Sequence, residues 1–321
     1  MPTGNLSLFD LFALQRDDPI VGLIEDVTTL APEFDVVSAT ARPGTWYEIV
    51  RRVALPTAGF RNVNAGSARG KSWYRKDLKE MFYLDAPINL DEAVQQGGDN
   101  SVGDAFTLES QGAMRQAMIT LGAQFYYGRS NDAKGFYGLR DQVSQAIAAG
   151  GTTNTTSAYL CWMDTQGVRF DVGNNGTLSM RPPFRQQITD SADSTKTYFA
   201  WVSNLSCWIG LTVGSDKAVF AVTGIDSGST NVLTDSIAQQ VISLIPIARR
   251  QNLHWFLNRT SQYSLQKSRT TVNLSGAWNG GAAFSTQPAD ADGRPAWSPL
   301  PDNLCGYPIT LTDSITNTES N

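Results

Sequence analysis

The sequence predicts an α+β fold, and three observations carry that prediction: a two-armed hairpin pattern between residues 42 and 84, one dominant helical stretch, and β-branched and aromatic runs through the second half of the chain. At 321 residues the chain can bury a sizeable core as one large domain or as two to three interleaved lobes. Hydrophobic residues make up 41% and charged residues 17%, with Gly, Ser, Thr and Asn plentiful, which suits a folded, loop-rich, β-rich chain and argues against disorder. No run approaches the roughly 18 apolar residues of a membrane helix, and the opening MPTGNLSLFD lacks the basic start and apolar stretch of a secretory signal. The expectation is a protein made and used in a cytoplasm, with no membrane partner.

Two short amphipathic stretches open the chain, Leu6 to Leu14 and Pro19 to Leu30; in the second, Asp18 can cap and Pro19 suits the first helical position. Trp46 to Leu55 and Trp73 to Leu84 are rich in β-branched and aromatic residues and flank the Gly, Asn and Ser-rich run 62–70, the pattern of a long hairpin. After the breaker at 97–100, the spacing predicts a helix over 104–126, with Phe106, Met114, Ala117, Met118, Leu121 and Phe125 on one face and Gly128 closing it. Such a helix is about 35 Å long. Strand patches follow over 159–172, then at Tyr198 to Val202, Cys207 to Val213 and Ala218 to Val222, where Gly214-Ser215-Asp216 reads as a turn between adjacent antiparallel strands. A second helix starts near Thr234, with Ile237, Val241, Leu244, Ile245 and Ala248 expected inside and Pro246 interrupting it. A strand at Leu253 to Leu257, a third helix opened by Asn258-Arg259 and running to about Lys267, a Gly, Ala and Pro-rich loop over 276–303 and a strand at Tyr307 to Leu311 complete the chain.

Net charge is −5, which argues against a coat that works by neutralising phosphates. The average hides an asymmetry. Residues 42–80 carry nine basic and three acidic side chains, a net of +6, so the remainder carries −11. Two readings fit: a device that docks on another copy, because opposite potentials steer encounter, or a solvated hairpin. Arg51, Arg52, Arg61, Arg69, Lys71, Arg75 and Lys76 are the candidate contact residues.

Catalytic chemistry finds little footing. The run Gly66-Ser-Ala-Arg-Gly70-Lys71-Ser72 places Ala65 where the first glycine of a phosphate loop belongs, and its flanks are hairpin arms. His254 is the one histidine, so histidine metal clusters are excluded and the ring reads as a packing or edge residue of its strand; no G-x-S-x-G elbow accompanies it. Cys161, Cys207 and Cys305 are far apart and read as reduced packing residues. Trp162, Trp201, Trp208 and Trp255 fall in expected strands and read as core, whereas Trp46 and Trp73 have a chance of exposure. The expectation is no enzyme, no cofactor and no metal, with a carbohydrate-active or carbohydrate-binding β protein as one alternative.

The order of arm, basic hairpin, long helix, β-rich segment, helix-strand-helix unit and late strand resembles the HK97-like major capsid proteins of tailed phages. Gln124-Phe-Tyr-Tyr127-Gly128-Arg-Ser-Asn with Gly135-Phe-Tyr-Gly-Leu139 is similar to the point where that family's spine helix gives way to its axial domain. Thr234-Asp-Ser-Ile through Leu253-His-Trp-Phe-Leu-Asn258-Arg259 resembles the family's axial helix, strand and next helix, and Gly306-Tyr-Pro308-Ile-Thr its late strand. The resemblance implies an N-terminal arm over 1–41, an extended loop (E-loop) over 42–84 lying across a neighbouring subunit, a peripheral domain with spine helix over 85–135, and an axial domain over 136–321. The strong strands over 198–225 precede the axial helix, and are expected to return to the peripheral sheet in permuted order. It further implies self-assembly through pentamers and hexamers into an icosahedral virion capsid in the host cytoplasm, around double-stranded DNA held by weak contacts. A portal and cement or decoration proteins are implied partners. Because numbering starts at Met1, scaffolding is expected from a separate protein. An encapsulin-type nanocompartment is the alternative on the same fold.

Overall fold

The computed structural model describes residues 29, 31–96, 103–174, 176, 179–190, 195–226, 231–273 and 301–319. The two amphipathic stretches before residue 31, the breaker at 97–100 and almost all of the loop at 276–303 lie outside them.

Five helices and fourteen strands occur among these residues. In chain order they are α1 (Glu33–Val36), β1 (Ala39–Ala41), β2 (Trp46–Ala54), β3 (Trp73–Glu80), β4 (Phe82–Asp91), α2 (Glu92–Gln96), α3 (Gly103–Tyr127), β5 (Gln145–Ala148), β6 (Thr156–Trp162) and β7 (Val168–Val172). There follow β8 (Ser179–Met180), β9 (Phe184–Thr189), β10 (Thr197–Val213), β11 (Val219–Ile225), α4 (Asp235–Ser243), β12 (Leu253–Leu257), α5 (Arg259–Asn273), β13 (Asn303–Leu304) and β14 (Tyr307–Leu311). One sheet runs β1-β7-β10-β4 with β8 and β9 also on β10; a second runs β13-β14-β12-β6-β11-β5; β2 and β3 form a separate two-stranded hairpin.

Several expected boundaries move. The run Trp73 to Leu84 is two strands, because buried Met81 gives its N–H to the carbonyl of Thr45 (2.9 Å) and the chain then leaves β2 to pair with β10, Phe82 opposite Ile209. Tyr198 to Val202 and Cys207 to Val213 are halves of one 17-residue strand, since 203–206 holds no breaker and β10 is paired along both edges. The turn at 214–216 does not join a hairpin. It carries the chain from the first sheet into the second, so β10 pairs with β4 and β11 pairs with β6 and β5.

Helix α3 spans two cores. Phe106 packs with Ile88, Leu90 and Val94 at its start, while Leu121, Phe125 and Tyr126 enter the main core at its end. Ala117 is buried as expected, but Met114, between the two cores, stays 47% exposed. The end of α3 is the aromatic centre of the molecule: Phe125 lies 5.3 Å from Phe170 of the first sheet and 5.8 Å from Phe256 of the second, and Tyr126 lies 5.5 Å from Tyr159. Helix α4 starts as expected, with the Thr234 hydroxyl accepting the Ile237 N–H at 3.3 Å, a normal N-cap. It stops at Ser243, before Pro246, so helical periodicity fails beyond it: Ile245 is buried but Leu244 and Ala248 are exposed. The Asn258 side chain accepts the Ser261 N–H at 2.8 Å and opens α5, which extends to Asn273.

The phrase around Gln124 is a knot of side chain and backbone. Gln124 donates to the carbonyls of Phe136 (2.8 Å) and Asp132 (3.2 Å) and accepts from the Asn131 amide (3.1 Å), tying the returning loop to the helix. Gly128, at φ +52°, lies so close to Gly138 that a β-carbon would come within 2.0 Å of the Gly138 nitrogen. We expect Gly128→Ala to cost about 3 kcal/mol or more, left-handed strain adding to overlap with backbone that cannot yield; denaturant unfolding of the isolated subunit measures it.

Candidate self-association surface

Strands β2 and β3 pair in antiparallel register from Trp46 opposite Glu80 to Arg51 opposite Arg75, with an irregularity between Arg52 and Ala54. The period of two sorts their side chains onto two faces. Tyr47, Ile49, Arg51, Asp77 and Lys79 face inward and are half-buried; Trp46, Glu48, Val50, Arg52, Tyr74, Lys76, Leu78 and Glu80 form an outward face, all exposed. At about 3.3 Å per residue the arms are roughly 30 Å long, and they lie along the body as far as Arg51 before the loop at 55–72 begins.

The root of the hairpin is fastened by buried charge. Asp171 of β7, 1% exposed, receives Arg42 at 3.2 Å and Arg169 at 3.3 Å and accepts the Tyr47 hydroxyl. Tyr47 also meets the Thr212 hydroxyl at 2.8 Å and lies under the Arg42 guanidinium, 4.6 Å from the ring centroid. Burial, then Asp171 beside it, raises the Tyr47 pKa, so the phenol stays a donor. Higher on the same face, Arg51 lies 2.7 Å from Asp77, pairs with Asp216 in the turn between the sheets, and reaches the Val213 carbonyl at 3.4 Å. Burial opposes ionisation of Asp77, but Arg75, Arg51 and Lys79 together hold its carboxyl below the usual range; Lys79 is pushed down by burial and then by Arg51.

The seven candidate basic residues therefore divide. Arg51 is committed to the root. Arg75 pairs with Asp77 at 2.7 Å, Lys76 with Glu48 at 2.8 Å, and Arg52 meets the Tyr74 hydroxyl at 3.2 Å. Arg61 bonds the Ala65 carbonyl of its own loop at 3.1 Å, an uncharged partner. Arg69 and Lys71 are exposed and form no ion pair among the described residues. Unbalanced positive charge thus gathers toward the loop.

Charge counting did not anticipate how apolar this element is. Nine of the eighteen exposed large hydrophobic residues among the described residues lie on it: Trp46, Val50, Val53, Leu55, Phe60, Val63, Trp73, Tyr74 and Leu78. Burying any one is worth about 1.5–3 kcal/mol, so leaving so many in water on one element marks a surface built to be covered. Trp46 and Trp73 were readable as exposed; the rest were discoverable from the density of large apolar residues on a hairpin with no second sheet beside it. Asp171 and Asp216 carried no local signal of this role, being more than 120 residues from the hairpin residues they hold.

Elsewhere the chemistry is quiet. His254 sits beside Thr310 of β14 and burial lowers its pKa; its strand β12 lies between β14 and β6, so of the two expected roles it is packing and not edge. Trp162 and Trp255 are core; Cys161, Cys207 and Cys305 are free. Among the described residues no group of three metal-ligating side chains occurs, and no helix is long and apolar enough to cross a membrane.

A family model described as major capsid protein GP7 matches residues 20–321. In fold, the chain is similar to a near-atomic structure of bacteriophage Epsilon15, with TM-score 0.70 and 17% identity over 100% of this chain and 98% of that one. Looser overlaps occur with Mycobacterium phage Adephagia (TM-score 0.46, 10% identity, 68% of this chain and 98% of that one) and with the SrpI encapsulin complex of Synechococcus elongatus (TM-score 0.44, 10% identity, 68% and 95%). No curated protein matches the sequence.

Removing the Arg51 side chain should free the hairpin root without unfolding the body. Amide exchange in 46–54 and 73–80 is expected to accelerate at least fivefold in Arg51→Ala, whereas Arg69→Ala leaves those strands unchanged.

Proposed function

The chain belongs to the major capsid protein GP7 family, and from that premise we propose that its hairpin is the clasp by which one shell subunit grips the next. The fold is HK97-like and the protein's role is structural, as a subunit of a capsid shell. The observation that carries the clasp is the outward face of the hairpin and its loop, where exposed apolar side chains are interleaved with cations. A contact between one copy's projecting loop and a different surface on the next is heterologous, and a heterologous contact that closes on itself makes rings. Five- and six-membered rings of one subunit then tile an icosahedral shell.

On this reading residues 1–41 are an arm, 42–84 the extended loop, 85–135 the peripheral domain and 136–321 the axial domain. Of the permuted set, β10 belongs with the peripheral strand β4 and β11 with the axial sheet, in keeping with their pairings. The shell is that of a tailed phage, assembled in the host cytoplasm around double-stranded DNA. An overall charge of −5 suits an inner wall that lets packed DNA slide more than one that binds it tightly. A separate scaffolding protein, a portal and cement or decoration proteins complete the assembly, and the subunit itself performs no catalysis.

Reversing Arg61, Arg69 and Lys71 to Glu, together with Phe60→Ser, tests the clasp where charge and apolar surface are least engaged by the chain itself. We expect a folded, soluble subunit with shell yield in negative-stain microscopy reduced at least tenfold; normal particle yield and stability from this variant would refute the clasp.

A further inference from the structure

Two consecutive tyrosines end the spine helix, and each faces a buried glutamate from an opposite end of the chain. Tyr127 donates to Glu319 at 2.6 Å and accepts the Thr316 N–H at 2.8 Å; the other Glu319 oxygen accepts from Ser157, and its backbone bonds Thr155. Tyr126, fully buried, faces Glu33 of α1, which is 0% exposed. The Glu33 carboxyl accepts the Thr312 hydroxyl on one oxygen. Its second oxygen, the Tyr126 hydroxyl and the Ser314 hydroxyl converge in the interior, where the two hydroxyls favour the charged carboxyl against the burial that opposes it. Gly122 makes the crossing close: a β-carbon there would lie 2.3 Å from Ser314 Oγ and 3.1 Å from Ala31 Cβ, so a larger residue would push on both the lead-in and the tail where they pass over the helix.

We propose that Glu33 is a protonation latch that fastens the lead-in segment 31–37 to the end of the spine helix and to the C-terminal tail. A neutral carboxyl has a proton to donate, and Tyr126 and Ser314 stand where its free oxygen points. Ionised, it becomes acceptor-only and leaves an enclosed charge that faces no cation among the described residues. From its own element only Asp35 is titratable nearby, and it is exposed; α3 supplies Tyr126, behind which lies Cys161 of β6; the tail supplies the neutral Thr312 and Ser314, while Asp313 turns out to pair with Arg259 at 2.9 Å. An enclosed carboxylate without a cation is costly, and burial, the largest influence, raises the Glu33 pKa despite the hydroxyls around it.

The sign follows from linkage. The latched state holds the proton more tightly than the open state, so the latch is strongest below the open-state pKa near the usual carboxylate value and weakens as pH rises toward the raised latched value. Amide exchange of the 31–41 segment in the full chain, corrected for the intrinsic rate, reads the opening directly. In the wild type, opening should increase by up to about tenfold per pH unit across that window. Glu33→Gln, uncharged and of equal size, should open no more than the wild type at low pH and show no slope. Ser314→Ala removes a donor to the charged form and should extend the window upward, opening levelling off at a higher pH while its onset stays in place. Equal pH dependence in wild type and Glu33→Gln, faster opening of Glu33→Gln at neutral pH, or an unmoved upper limit of the window in Ser314→Ala would each overturn the latch.

Discussion

An antiparallel ribbon formed by residues 156–172 and 209–225 is the constraint on which the rest of the molecule depends. Its register hardly changes from end to end: Val213 faces Val168 in the first sheet and Val219 faces Cys161 in the second. Both strands break in step, at 163–167 and 214–218, and the bonds that bracket the break are paired, Gly214 to the Gly167 carbonyl at 2.9 Å and Trp162 to the Ala218 carbonyl at 2.8 Å. Two sheets are thereby made from one continuous pairing, so neither can shift without the other. Every other large element attaches to this ribbon. The spine helix drives Phe125 between Phe170 and Phe256, one from each sheet, and β10 continues past the ribbon to hold β4 and β9.

The turn at 214–218 also serves the hairpin. Asp216 takes Arg51 from β2, its carbonyl accepts the Ser144 hydroxyl, and Arg249 reaches Ser215 and stacks over Trp162. A root held by partly buried ion pairs, and by Asp171 deeper down, sets the direction of an element whose outward face has no support from its own chain. Isolated two-stranded hairpins are marginal in water. Here the root supplies rigidity, and on the proposed clasp a neighbouring copy supplies the rest of the burial.

Charge and hydrophobicity are therefore divided along the hairpin, and that division revises what a basic segment means. Near the body its arginines are structural, because Asp171, Asp77 and Asp216 neutralise them. Toward the loop the cations stand among exposed Phe60 and Val63 with no carboxylate beside them. On the proposed clasp, long-range attraction orients an approaching copy there and the apolar residues hold it once water is expelled.

Local pattern was enough to read the long helix, the hairpin, the capped starts of α4 and α5, and the strands β12 and β14, because each is written in periodicity and in residues such as Thr234 and Asn258 that act within three positions of themselves. The order of those elements, and the glycine-rich phrase after the spine helix, carried the family. What the sequence could not determine was partnership at a distance. Whether 214–216 closes a hairpin or crosses between sheets depends on which strand waits on the other side, and no residue in the turn encodes that. Arg51 reads the same whether it faces solvent, a neighbour or Asp216, 165 residues away; Glu33 reads as an ordinary surface acid until Tyr126 and the tail enclose it. Propensity and pattern act over a few residues, whereas burial and charge pairing are properties of the assembled interior, and so only the tertiary structure decided which charges belong to the fold and which stay exposed.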